Sequence, residues 1–63
     1  MITESRKQEL KAKGYKVTSI VHGWYPVAPL GRAIIRGWAS TDDLAWQYCD
    51  NHEKRQARTR DNG

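Results

Sequence analysis

Cys49 is the only cysteine in a chain of 63 residues, so the core must close without a disulfide. Chains below about 70 residues rarely bury enough apolar surface to be self-sufficient, and those that fold generally add a disulfide, a metal or a partner chain. With the first excluded, the sequence predicts one small domain over residues 1–63, completed by a second copy, with ends frayed at 1–2 and about 58–63. The side chains large enough to build its core are four Ile, three Val, three Leu, one Met, three Trp and three Tyr, with no Phe.

The lone thiol points to a reducing compartment and hence to a cytoplasmic protein. No apolar run approaches the length of a membrane span, and Met1 is followed by charged sequence, so neither a membrane segment nor a secretory signal is expected. Eleven Lys and Arg against seven Asp and Glu give a net charge of +4. This balance favours anionic partners without supplying a dedicated nucleic-acid arm. A chain this short rarely builds both a core and a substrate pocket, so a non-enzymatic protein with no cofactor is expected.

Thr3-Glu4 through Lys13, closed by Gly14, predicts a short helix with Thr3 as N-cap and Gly14 just past its end. Its apolar stripe is narrow, and the segment through Lys16 carries five cations against Glu4 and Glu9. Tyr15 to His22 alternates and is rich in β-branched residues, which predicts a strand. Gly23 to Gly31 contains Pro26 and Pro29 and reads as an extended, polyproline-like connection. Arg32 to Trp38 is too brief for periodicity to arbitrate, and a second strand hairpinned on the first is favoured over a short helix. Ser40 with Asp43 three positions later predicts the start of a longer helix from about Thr41 past Cys49, with Asp42 and Asp43 complementing its dipole. The expected fold is therefore α+β: a short N-terminal helix, one strand or a β-hairpin, and a longer C-terminal helix, completed by homodimerisation.

At about 100° per residue, Leu44, Tyr48, Ala45, Cys49 and Trp46 cover more than half of the second helix, about twice the stripe that a single packing surface needs. The excess predicts a dimer or partner groove walled by Trp24, Ile34, Ile35, Trp38, Leu44, Trp46 and Tyr48, the aromatics being types enriched at interface hot spots. In a chain without Phe, each Trp has an equal claim to be core. The partners expected are a second copy and an unidentified protein.

Cys49 and His52 have the i, i+3 spacing of two zinc ligands, but one chain supplies too few ligands for a closed site, and a mid-helix Cys lacks any cause for thiolate formation. A buried structural Cys is the better reading. Asp42 and Asp43 are adjacent and do not face one another, so capping explains them better than acid–base work. Pro26-Val27-Ala28-Pro29 has P-x-x-P spacing, which a rigid loop accounts for. Lys7, Lys11, Lys54, Arg55 and Arg58 are the candidate phosphate contacts of the alternative reading, a small DNA- or RNA-binding regulator, although neighbouring acids dilute both clusters.

From its short basic helix, through Gly23-Trp24-Tyr25-Pro26-Val27-Ala28-Pro29-Leu30-Gly31, to Ala39-Ser40-Thr41-Asp42-Asp43-Leu44-Ala45-Trp46-Gln47-Tyr48-Cys49 and an Arg-rich end, the whole chain resembles the small early-region accessory proteins of lambdoid temperate bacteriophages. That resemblance implies a non-enzymatic regulatory adaptor in the bacterial host cytoplasm, dimeric in some members. It would bias lytic against lysogenic development by engaging host or phage factors.

Overall fold

The computed structural model describes residues 2–62, with side chains described through Ala57. Two helices and a three-stranded antiparallel sheet follow the order α1 (Glu4–Ala12), β1 (Lys16–Ile20), β2 (Gly23–Ala28), β3 (Arg32–Ala33) and α2 (Asp42–Asn62), with a 3₁₀ turn over Pro29–Gly31. The α+β class, the N-terminal helix, the hairpin and the longer C-terminal helix agree with the expectation. The frayed ends expected at Met1 and from Arg58 onward fall on Met1, Gly63 and side chains outside the described residues. Ile2, by contrast, packs against the core.

α1 is bounded as its sequence dictates. The Thr3 hydroxyl accepts a hydrogen bond from the Arg6 N–H at 3.1 Å, satisfying a donor the first turn would leave unpaired. At the other end Gly14 adopts φ +104, and the Gly14 and Tyr15 N–H groups donate to Lys11 O and Leu10 O at 3.0 Å. This paired closure reverses the chain and sends Tyr15 back beneath Leu10, where both are buried.

The Gly23–Gly31 segment, expected as a connection, instead begins with the central strand. β2 pairs with β1 through Lys16↔Val27, Thr18↔Tyr25 and Ile20↔Gly23, and with β3 through Val27↔Ala33 and Ala28↔Arg32. A proline is excluded from a central strand only where its nitrogen faces a ladder partner. Trp24 exchanges both backbone hydrogen bonds with Ala39, at 2.9 and 2.7 Å. Backbone groups alternate sides along a strand, so the Pro26 nitrogen points the same way as that of Trp24. It meets the gap between the Ala39 bridge and the short β3, where no donor is required. The second strand expected over residues 32–38 is reduced to Arg32–Ala33 and pairs with β2 rather than β1; residues 34–37 bend away.

α2 starts one residue later than the Ser40 cap predicts. Thr41 is the cap, its hydroxyl accepting from the Leu44 N–H at 3.1 Å. Both helices lie on the sheet face that carries Val17, Pro26 and Ala28. Leu10 from α1, Tyr15 and Ala28 from the sheet side, and Trp46 and Cys49 from α2 form one buried cluster, with Ile2, Val17 and Ile34 packed against it. Among the described residues no buried side-chain nitrogen or oxygen lacks a hydrogen-bond partner.

Candidate protein-interaction surface

The residues expected to wall one groove are distributed over four places. Trp46 is 5% exposed and belongs to the core, which corrects its assignment to an interface. The physical reason is α1, whose Lys11 ammonium stands 5.6 Å from the Trp46 ring centroid, while Arg6 holds Asp50 one turn further along. Within the chain the sheet covers α2 at Cys49 and α1 covers it at Trp46 and Asp50, whereas Leu44 stays 40% exposed and Tyr48 partly so. Ile34, Ile35 and Tyr48 are brought together around a cleft of about 230 Å³ with His52 and Arg55. Leu44 lines another cleft beside Ile2 and Gln47.

Trp24 and Trp38 belong to the remaining place, the end of the β1–β2 hairpin, where three of the five exposed large apolar side chains among the described residues gather, Leu30 and Leu44 lying elsewhere. Val21 is 98% exposed at the turn, Trp38 is 51% exposed, and Ile20 lies open beside them. The His22 ring stacks on Trp38 with centroids 4.7 Å apart and planes at 25°. Trp38 is carried to this end by the Trp24–Ala39 bridge. The approach is close enough that a Cβ on Gly23 would stand 2.4 Å from the Ala39 carbonyl oxygen and 3.0 Å from Trp38 Cδ1, so only glycine fits. Residues 17–31 contain no Lys, Arg, Asp or Glu. In a chain that is 29% charged, that leaves the hairpin beyond Lys16 without acidic, Lys or Arg side chains and partly apolar. The signal was present in the sequence as two large apolar residues directly before His22-Gly23, where a turn is ordinarily polar.

Two of the cations expected to contact phosphate, Lys7 and Lys54, are held by carboxylates of the same chain. Lys7, with a side chain only 13% exposed, lies 2.6 Å from Asp43, 3.6 Å from Asp42 and 3.8 Å from Glu4. The hydrogen bond that Lys7 donates to Asp43 raises its pKa. Lys54 pairs with Asp50 at 3.1 Å, and Lys13 with Glu53 at 2.9 Å. Lys7 and Lys13 thus tie the first helix and its end to the acids of α2, whereas the Lys54–Asp50 pair lies within α2. Lys11 lies over Trp46, and the Arg58 side chain is outside the described residues.

His52 is turned toward Tyr15 and away from metal or thiol chemistry with Cys49. The Tyr15 hydroxyl is 2.8 Å from His52 Nδ1 and 3.3 Å from a Glu53 carboxylate oxygen. This network was missed from sequence because its members are 37 and 38 residues apart. Cys49 is fully buried, and burial pushes its thiol up to about 11. It is therefore protonated at neutral pH and a poor nucleophile. Among the described residues no three His, Cys, Asp or Glu gather as metal ligands. No helix among them is long and apolar enough to cross a membrane.

No protein-family model matches the chain, and neither the curated proteins nor the solved structures yield a match.

Proposed function

We propose that this chain is a non-catalytic binding protein that acts by protein–protein contact and pairs with a second copy through the apolar end of its β1–β2 hairpin. The observation that supports the reading is the joint exposure of Val21 and Trp38 beside a stretch, residues 17–31, that contains no Lys, Arg, Asp or Glu. Two copies of a +4 chain repel over their charged surfaces, and the turn at residues 20–24 is where Lys, Arg, Asp and Glu are lacking. Exposed apolar clusters on small proteins commonly mark contact sites. Lys7 and Lys54 are occupied by Asp43 and Asp50, which weighs against the alternative of a phosphate-binding regulator. In the phage setting that the resemblance implies, such a protein would regulate lytic development by occupying a host or phage factor.

The test follows the amide resonances of the ¹⁵N-labelled chain as its concentration is raised. Self-association through this end moves the signals of residues 20–24 and 37–39 and leaves those of α1 in place. Shifts confined to α2 beyond Cys49, or none at all, would contradict the reading.

A further inference from the structure

The outer edge of β1 is an unpaired strand edge. β1 terminates the sheet, and Lys16, Thr18 and Ile20 turn their backbone groups to β2, so those of Val17 and Ser19 point outward. Two N–H and two C=O groups are left in a regular row, with neither a proline nor a bulge to block it. Beside this edge runs a cleft of about 420 Å³ whose walls include Tyr15, Val17, Trp46, Lys11 and Lys16. Among the described residues Lys11 and Lys16 form no ion pair, in contrast to Arg6, Lys7, Lys13 and Lys54.

We infer that this edge binds an extended peptide segment of a partner protein, carrying alternating acidic and apolar side chains, as a fourth strand of the sheet. The main-chain bonds go to Val17 and Ser19, in the manner of strand addition. A residue opposite Val17 faces the helix layer and rests its apolar side chain in the cleft beside Val17. Its neighbours lie on the opposite face, where their carboxylates reach Lys16, and Lys11 adds positive potential at the rim. A second copy of β1 is a poorer occupant, because it brings its own Lys11 and Lys16 against the same pair. The inference stands on a different surface from the hairpin end and does not rest on self-association there.

The experiment adds a capped peptide, acetyl-Glu-Val-Glu-Val-Glu-amide, to the dilute ¹⁵N-labelled full chain and measures amide shifts and hydrogen exchange. We expect the Val17 and Ser19 amides to shift and become protected, and binding to weaken with added salt. The corresponding Lys/Val peptide should bind at least about tenfold more weakly. Ser19→Pro removes one outward donor at an edge position where proline is tolerated, and should abolish binding while the remaining spectrum persists. Lys11→Glu with Lys16→Glu leaves the backbone edge intact and should reverse the preference toward the Lys/Val peptide. The inference is overturned if Val17 and Ser19 are not protected, if the two peptides bind equally, or if the charge reversal leaves the preference unchanged. Protection of both amides without peptide, growing with protein concentration, would assign the edge to a second copy and overturn it equally.

Discussion

The Arg6 guanidinium donates to the Asp50 carboxylate at 2.6 Å across 44 positions of sequence, and this pair fastens the first helix to the last. Asp50 is 6% exposed and accepts from Lys54 on its other oxygen at 3.1 Å. Burial alone would raise its carboxyl, and the hydrogen bonds from Arg6 and Lys54 overcome that and hold it below the ordinary range. The Arg6 guanidinium is raised in turn by its bonds to Asp50 and Glu9.

Stability should therefore depend on acid through Asp50. A carboxyl whose folded pKa lies below its unfolded value binds fewer protons in the folded state, so its contribution is complete well above about pH 4 and is lost as pH falls through the folded value. We expect Asp50→Asn to lower stability at pH 7 by about 1–2 kcal/mol, the smaller range reflecting the solvent access of Arg6 and Lys54. Denaturant midpoints measured from pH 7 to 3 should fall less steeply for the variant than for the parent chain.

The helix cap distinguishes two neighbouring hydroxyls. Thr41→Ala removes the acceptor of the Leu44 N–H and should cost about 1 kcal/mol. Ser40→Ala touches no such bond and should stay within about 0.5 kcal/mol. Equal losses in thermal unfolding would contradict the Thr41 cap.

Cys49 should be silent to thiol reagents. With the side chain buried and the thiol pushed up to about 11, a disulfide reagent at pH 8 should react with the folded chain only on the timescale of its unfolding, and completely in denaturant. Fast labelling of the folded protein would show that α2 is not seated on Leu10 and Ala28.

Gly23→Ala tests the junction that carries Trp38 to the hairpin. The added Cβ meets the Ala39 carbonyl oxygen at 2.4 Å, so backbone must shift, at a cost of about 2–3 kcal/mol. The His22–Trp38 stack should loosen with it, seen as a change in Trp emission. Gly37→Ala, where a Cβ meets nothing within 4 Å, is the control and should leave both unchanged.

What could be read from sequence was what short stretches determine by themselves. Thr3 and Gly14 delimit α1 because a cap hydroxyl and a positive φ are decided within a turn. α2 was legible as a helix, but Ser40 and Thr41 are both cap types, and only the approach of Thr41 to Leu44 separates them. β2 was hidden by Pro26, since whether a proline suits a central strand depends on which neighbour its nitrogen faces, here the gap beside Ala39. The candidate surface was half legible. The abundance of Trp was plain, yet its division into a core Trp46 and an exposed Trp38 depends on α1 lying over one and not the other. The carboxylate that holds Lys7 likewise could not be assigned from charge runs alone, because Lys7 finds Asp43 across 36 residues, whereas Asp50 and Lys54 pair at the i, i+4 spacing of one helix.

The central claim is that the hairpin end mediates self-association, and sedimentation equilibrium under reducing conditions tests it most directly. For the parent chain of 7.3 kDa, the mass should rise toward twice that value with concentration. Val21→Asp, which places a charge on a fully exposed turn residue without disturbing the core, should hold the monomer mass throughout. A parent chain that remains monomeric at all concentrations, or a Val21→Asp variant that associates as strongly as the parent, would contradict it.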